Sequence, residues 1–190
     1  MKPKVHVAFL WHMHQPWYIL PGGEGVLPWA RLRASKDYYD MAQHLVCTGF
    51  PCNVNFTPAL TEQLRLLSEG KVSDPYTPDG PSSAFLELQS GLIPMPLSRR
   101  GLSKPPEFSS PEEFWAGFFL SWTAQTVLEE EAELQGLLGS KNIGSQALEK
   151  LQAWHRKLVS EVLPLYRRLG ESGQIELSTT PFYHPILPLL

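Results

Sequence analysis

Apolar and polar positions follow two rhythms along this chain, a period of two and a period between three and four. The first stretch, Val5-His6-Val7-Ala8-Phe9-Leu10-Trp11, is uncharged and runs into His12-Met13-His14-Gln15-Pro16. An apolar run of that length suits a strand buried on both faces of a parallel sheet, predicted near 5–12. Proline cannot extend a ladder, so Pro16 marks the exit into a glycine- and proline-rich loop from Trp17 to Trp29. The pattern then turns helical. Leu32, Tyr39, Met41, Ala42, Leu45 and Val46 recur at mixed three and four spacing until Gly49 and Pro51. Residues 52–57 alternate, with Val54 and Phe56 on one side and Asn53, Asn55 and Thr57 on the other. Thr57-Pro58 predicts a capped helix start, Leu60, Leu64 and Leu67 its buried stripe, and Gly70 its end. Strand, helix, strand, helix is the pattern of a parallel α/β sheet.

Residues 71–110 are irregular, apart from a short helix near 83–89 and a polar loop at 99–106. So long an irregular stretch usually serves a binding site or covers one. Ser110-Pro111-Glu112-Glu113 is a capping box with proline in the first turn. Phe114, Phe118 and Trp122 follow at intervals of four, flanked by Trp115 and Phe119, a stripe read as packing. Glu129, Glu130, Glu131 and Glu133 read as a solvated face. Leu148, Leu151, His155, Leu158, Val162, Leu165 and Leu169 form a helix-pair seam, with His155 as a hydrogen-bonded core residue. A long helical pair over about 111–170 is therefore expected, inserted between the second and third strands. The third strand is predicted at 174–179, Ile175 and Leu177 toward the helices and Glu176 and Ser178 away from them. The last stretch, Thr180 to Leu190, is apolar and rich in proline. It leads to the expectation that residues 1–190 are a single, C-terminally truncated domain of a longer protein.

The totals narrow the function classes. Hydrophobic residues make up 43% of the 190, and charged residues 18%, which is ordinary globular usage. A net charge of −3 gives no basic surface for nucleic acid or an anionic membrane. Cys47 and Cys52 have neither a redox nor a zinc spacing and read as free thiols. With no signal-peptide pattern and no membrane-span pattern, a cytoplasmic protein is expected.

The candidate chemistry lies at the strand ends. His12 and His14 share one side of the first strand, and Glu176 is the only acid of its strand. Two histidines and a carboxylate admit a metal reading, a metal-dependent hydrolase with His12, His14 and Glu176 as ligands and an open fourth position. A non-catalytic carbohydrate-binding remnant is a third reading. The sequence has no HExxH, no CxxC, no GxSxG, no P-loop and no dinucleotide fingerprint.

Trp11-His12-Met13-His14-Gln15-Pro16 and Gly173-Gln174-Ile175-Glu176-Leu177 resemble the first two motifs of glycoside hydrolase family 57. The continuation Ser178 to Leu190, with Phe182-Tyr183-His184-Pro185, resembles its α-amylase-like branch. The resemblance implies an α/β fold, the N-terminal part of an incomplete (β/α)7 barrel. It also implies retaining chemistry on α-glucans or maltooligosaccharides, as an amylase, branching enzyme or 4-α-glucanotransferase, with no metal or other cofactor. By the same resemblance His12, His14, Gln15, Glu176 and His184 are substrate-binding residues. Retaining hydrolysis needs two carboxylates about 5 Å apart. In the family these stand in later motifs, a glutamate nucleophile and an aspartate acid/base, both expected beyond Leu190. The chain by itself is therefore expected to be inactive.

Overall fold

The computed structural model describes residues 4–91, 93–94, 110–138 and 145–185. Three parallel strands, β1 (Leu10–Met13), β2 (Cys52–Phe56) and β3 (Ile175–Thr179), lie in the order β1-β2-β3. Leu10, Asn53 and Glu176 share one row across the sheet, and His12, Asn55 and Ser178 share the next row on the same face. The opposite face carries Met13, Val54, Phe56 and Ile175 into the core.

The first strand differs from the expected 5–12. It starts at Leu10, and Val5 and Val7 are 84% and 73% exposed. The reason lies next door. β2 begins just after Pro51, which has no N–H to extend the ladder, so pairing stops where Asn53 N–H donates to the Phe9 carbonyl at 2.9 Å. β1 is also an edge strand, and only its Trp11 and Met13 side reaches the helices.

Residues 29–48 form one helical run. It consists of α1 (Trp29–Arg33), a π-helical turn (Ala34–Tyr38) and α2 (Tyr39–Thr48). Gly49 ends it in the left-handed conformation, φ 64°, with its N–H donating to the Leu45 carbonyl. α3 (Pro58–Ser68) buries Leu60 and Leu64 as their spacing predicts. Thr57 precedes it in extended conformation but makes no capping bond, a difference from the expected role. The short helix expected near 83–89 is α4 (Ser82–Gln89). The polar loop at 99–106 lies outside the described residues.

The expected pair of long helices is not what forms. Its second member is α8 (Ser145–Glu171), continuous through Pro164. Its first half is α5 (Pro111–Ser121), α6 (Gln125–Glu130) and α7 (Ala132–Leu138). Ser110 Oγ accepts the Glu113 N–H and starts α5 as expected. The breaks come from partners distant in sequence. Lys36 Nζ donates to the Ser121 carbonyl at 2.6 Å, Ser35 Oγ donates to the Trp122 carbonyl, and Ala124 N–H donates to the Ser35 carbonyl. A cation at a helix C-terminus also suits the dipole. The Asp40 carboxylate then accepts from Gln125 N–H, Thr126 N–H and Thr126 Oγ, capping α6 from across the fold. Asp40→Ala should cost about 1–2 kcal/mol, the scale of a lost N-cap, while Asp40→Asn should lose less. Equal urea midpoints for wild type and Asp40→Ala would contradict this assignment.

Two cores result, and α8 belongs to both. Its Leu148, Leu151 and Leu158 pack with the aromatics of α5. Its Val159, Val162, Leu165 and Tyr166 pack with α3 and the sheet. Within the first of these cores, beside Phe119, His155 is 1% exposed. Its Nδ1 faces Arg31 Nη1 at 3.4 Å, and its Nε2 reaches the Phe119 carbonyl at 2.9 Å. A guanidinium only donates, so Nδ1 accepts and Nε2–H donates, which makes this a neutral imidazole. Arg31 also pairs with Asp74 and donates to the Tyr76 carbonyl, tying the irregular segment after residue 70 to α1. Among the described residues no helix is long and apolar enough to cross a membrane.

Candidate functional site

The polar face of the sheet is a directed chain of hydrogen bonds. Ser178 Oγ donates to Asn53 Oδ1 at 2.8 Å, so it accepts from Asn55 Nδ2 at 3.1 Å. Asn55 Oδ1 is thereby turned to His12 Nδ1, 2.8 Å away. An amide oxygen only accepts, so Nδ1 carries the proton. One row further along, just past the ends of the same two strands, His14 Nδ1 lies 3.3 Å from Thr57 Oγ1, the hydroxyl that does not cap α3. Both Nδ1 atoms are therefore held from below, and among the described residues neither Nε2 has a hydrogen-bond partner.

His184 completes the group. Its ring centroid lies 4.6 Å from that of His12 and 5.0 Å from that of His14. It reaches them because its backbone is left-handed, φ 53°, within a turn closed by His184 N–H to the Pro181 carbonyl at 2.9 Å. A non-glycine residue in that region is strained, and such strain gathers at sites that use it. Burial lowers the His14 pKa, and its neighbours His184 and His12 lower it further, which favours the neutral imidazole.

Gln15 does not face the open side. Its Nε2 donates to Tyr38 Oη and its Oε1 accepts from Tyr18 Oη, each at 3.0 Å. Tyr38 Oη also donates to the His14 carbonyl at 3.4 Å, and its own carbonyl accepts from Tyr166 Oη at 3.1 Å. Tyr38 sits in the π-helical turn, where the widened ladder frees a carbonyl for Tyr166. Buried Gln63 holds the exit from β1 by donating to the Pro16 carbonyl and accepting from Tyr18 N–H.

Glu176 is on the expected face, pointing away from the helices, and it is exposed, since nothing among the described residues covers that face. It lies one row back from His12 and two strands away, a Cα separation of roughly 12 Å from strand spacing and rise. There it borders a hollow of about 510 Å³ with Phe9, Phe50 and Gln174, at the amino ends of the strands. Metal–ligand bonds of roughly 2 Å are out of reach for donors so placed. Among the described residues no three His, Cys, Asp or Glu side chains are gathered to hold a metal ion. The metal reading of His12, His14 and Glu176 therefore lacks its geometry.

Asn55, Ser178, Thr57 and Tyr38 are the site residues that sequence reasoning did not single out. The alternation of Asn53, Asn55 and Thr57 in β2 was the available signal, since polar residues on one side of a central strand need a reason. Tyr38 left no such signal.

Imidazoles, amides and hydroxyls gather here at the carboxyl end of parallel strands, the place where α/β proteins usually bind ligands. The chain belongs to glycosyl hydrolase family 57, whose family model matches residues 8–190. It is a family of glycoside hydrolases and transglycosidases, acting on glycans. No curated protein and no solved structure matches the chain significantly.

Proposed function

We propose that this chain supplies the glucan-holding part of a retaining glycosidase or transglycosidase of the amylase, branching or 4-α-glucanotransferase type. On this reading β1, β2 and β3 are the opening strands of an incomplete (β/α)7 barrel, and their parallel order supports it. The observation that carries the reading is the pair of imidazoles pinned at Nδ1, with His184 across from them. His12, with Nδ1–H committed to Asn55, presents Nε2 to a sugar hydroxyl. Such fixed groups hold a ring without reorganising, which is what positioning requires. Glu176 stands a row away, a gap suited to groups that grip a pyranose from two sides rather than meet at one atom. Retaining chemistry needs two further carboxylates, and no residue of this chain is assigned either role.

The test is calorimetric titration of the chain with maltoheptaose. Wild type should bind, and His12→Ala and His14→Ala should each weaken binding about tenfold or more, the scale of one or two lost hydrogen bonds. No binding by wild type, or unchanged affinity in both variants, would sink the proposal.

A further inference from the structure

Beside the imidazoles lies an aromatic group that the proposed site does not use. Trp17 follows β1 and Phe182 follows β3, with ring centroids 5.8 Å apart, and Tyr183 meets Phe182 edge-on at 4.7 Å. These rings are not core. Phe182 is 41% and Tyr183 69% exposed, whereas Phe118 and Phe119 in the helical core are at most 2% exposed. The Trp17 ring and the Phe182 backbone are nevertheless anchored. Trp17 Nε1–H donates to the Ile19 carbonyl, and the Phe182 carbonyl accepts from Ala59 N–H at the start of α3. The same turn that forces His184 into left-handed backbone sets Phe182 and Tyr183 beside it. Rigid exposed aromatics next to hydrogen-bonding groups are how a surface takes a ligand with both apolar and polar faces. A pyranose is such a ligand, with C–H groups on its ring faces and hydroxyls at its rim.

We propose that Trp17, Phe182 and Tyr183 form a stacking subsite for glucose units beyond the first two of a chain, adjoining the end held by His12, His14 and His184. The inference rests on the glucan reading and adds to it a dependence on chain length. Maltose is short enough to be held at the imidazole end, whereas a longer chain continues over the aromatic rings.

The experiment titrates the full chain with maltose and with maltoheptaose, using wild type, Tyr183→Ala, Tyr183→Phe, Trp17→Ala and His12→Ala. Tyr183→Ala and Trp17→Ala should weaken maltoheptaose about tenfold and leave maltose unchanged. Tyr183→Phe should bind as wild type, since it keeps the ring, and His12→Ala should weaken both sugars. Wild-type affinity for maltoheptaose in both alanine variants, with His12→Ala still impaired, overturns the subsite and leaves the glucan reading in place. Equal losses on maltose and maltoheptaose overturn a separate subsite. No sugar binding by wild type removes the glucan reading and the subsite with it.

Discussion

Wild type should lose about 3 kcal/mol of stability between pH 6.5 and pH 4 that a His155→Gln variant does not lose. Burial pushes the His155 imidazole down to about 3, and the Arg31 and Lys36 cations facing it push the same way. The Phe119 carbonyl opposes them only in part. On unfolding the group regains its ordinary 6.5, so below that pH the unfolded chain binds a proton that the fold refuses. The stability is complete above 6.5 and falls by about 1.4 kcal/mol per pH unit as pH drops toward the folded value. Glutamine can still donate to the Phe119 carbonyl but takes up no proton. The surface carboxylates titrate in both proteins, so the difference in slope isolates His155. Urea unfolding at a series of pH values measures it. Parallel slopes would mean that the imidazole is not held neutral in the helical core.

Phe118→Ala should cost about 3–5 kcal/mol, the range for emptying a fully packed aromatic position. Phe118 is 0% exposed and lies edge-on to Trp115 at 5.8 Å and to Phe119 at 5.9 Å. Those rings pack against α8, so the hole opens inside the helical core rather than at its margin. Tyr183→Ala, at a 69% exposed position, should change stability by no more than about 0.5 kcal/mol. The pair separates two kinds of aromatic residue that the sequence writes alike. A loss below about 1 kcal/mol at Phe118 would mean that the stripe is not core.

The second and third strands were legible almost to the residue. Alternation needs only local composition, and both strands have one face on the helices, so their patterns survive folding. β1 was misjudged because an unbroken apolar run carries no face information. Its true start was set by Pro51 on its neighbour. The break after Ser121 was equally hidden, since the groups that end α5 and start α6 are Ser35, Lys36 and Asp40, more than eighty residues away. Thr57 looked like a cap because threonine before proline usually is one. The fold instead turned its hydroxyl to His14.

The sequence by itself determined the parallel α/β class, the alternation within each strand that groups His12 with His14, Asn53 with Asn55 and Glu176 with Ser178, the helix stripes, and, through two motifs, the family. These depend on period and spacing, which are local. The tertiary structure decided three things. It brought His184 onto His12 and His14 through a strained turn, it fixed each histidine at Nδ1 by a residue forty-three positions away, and it left Glu176 a row apart from them. Contacts of that kind depend on strand register and on where a loop lands. Both are set by the packing of whole elements, which no window of the chain contains.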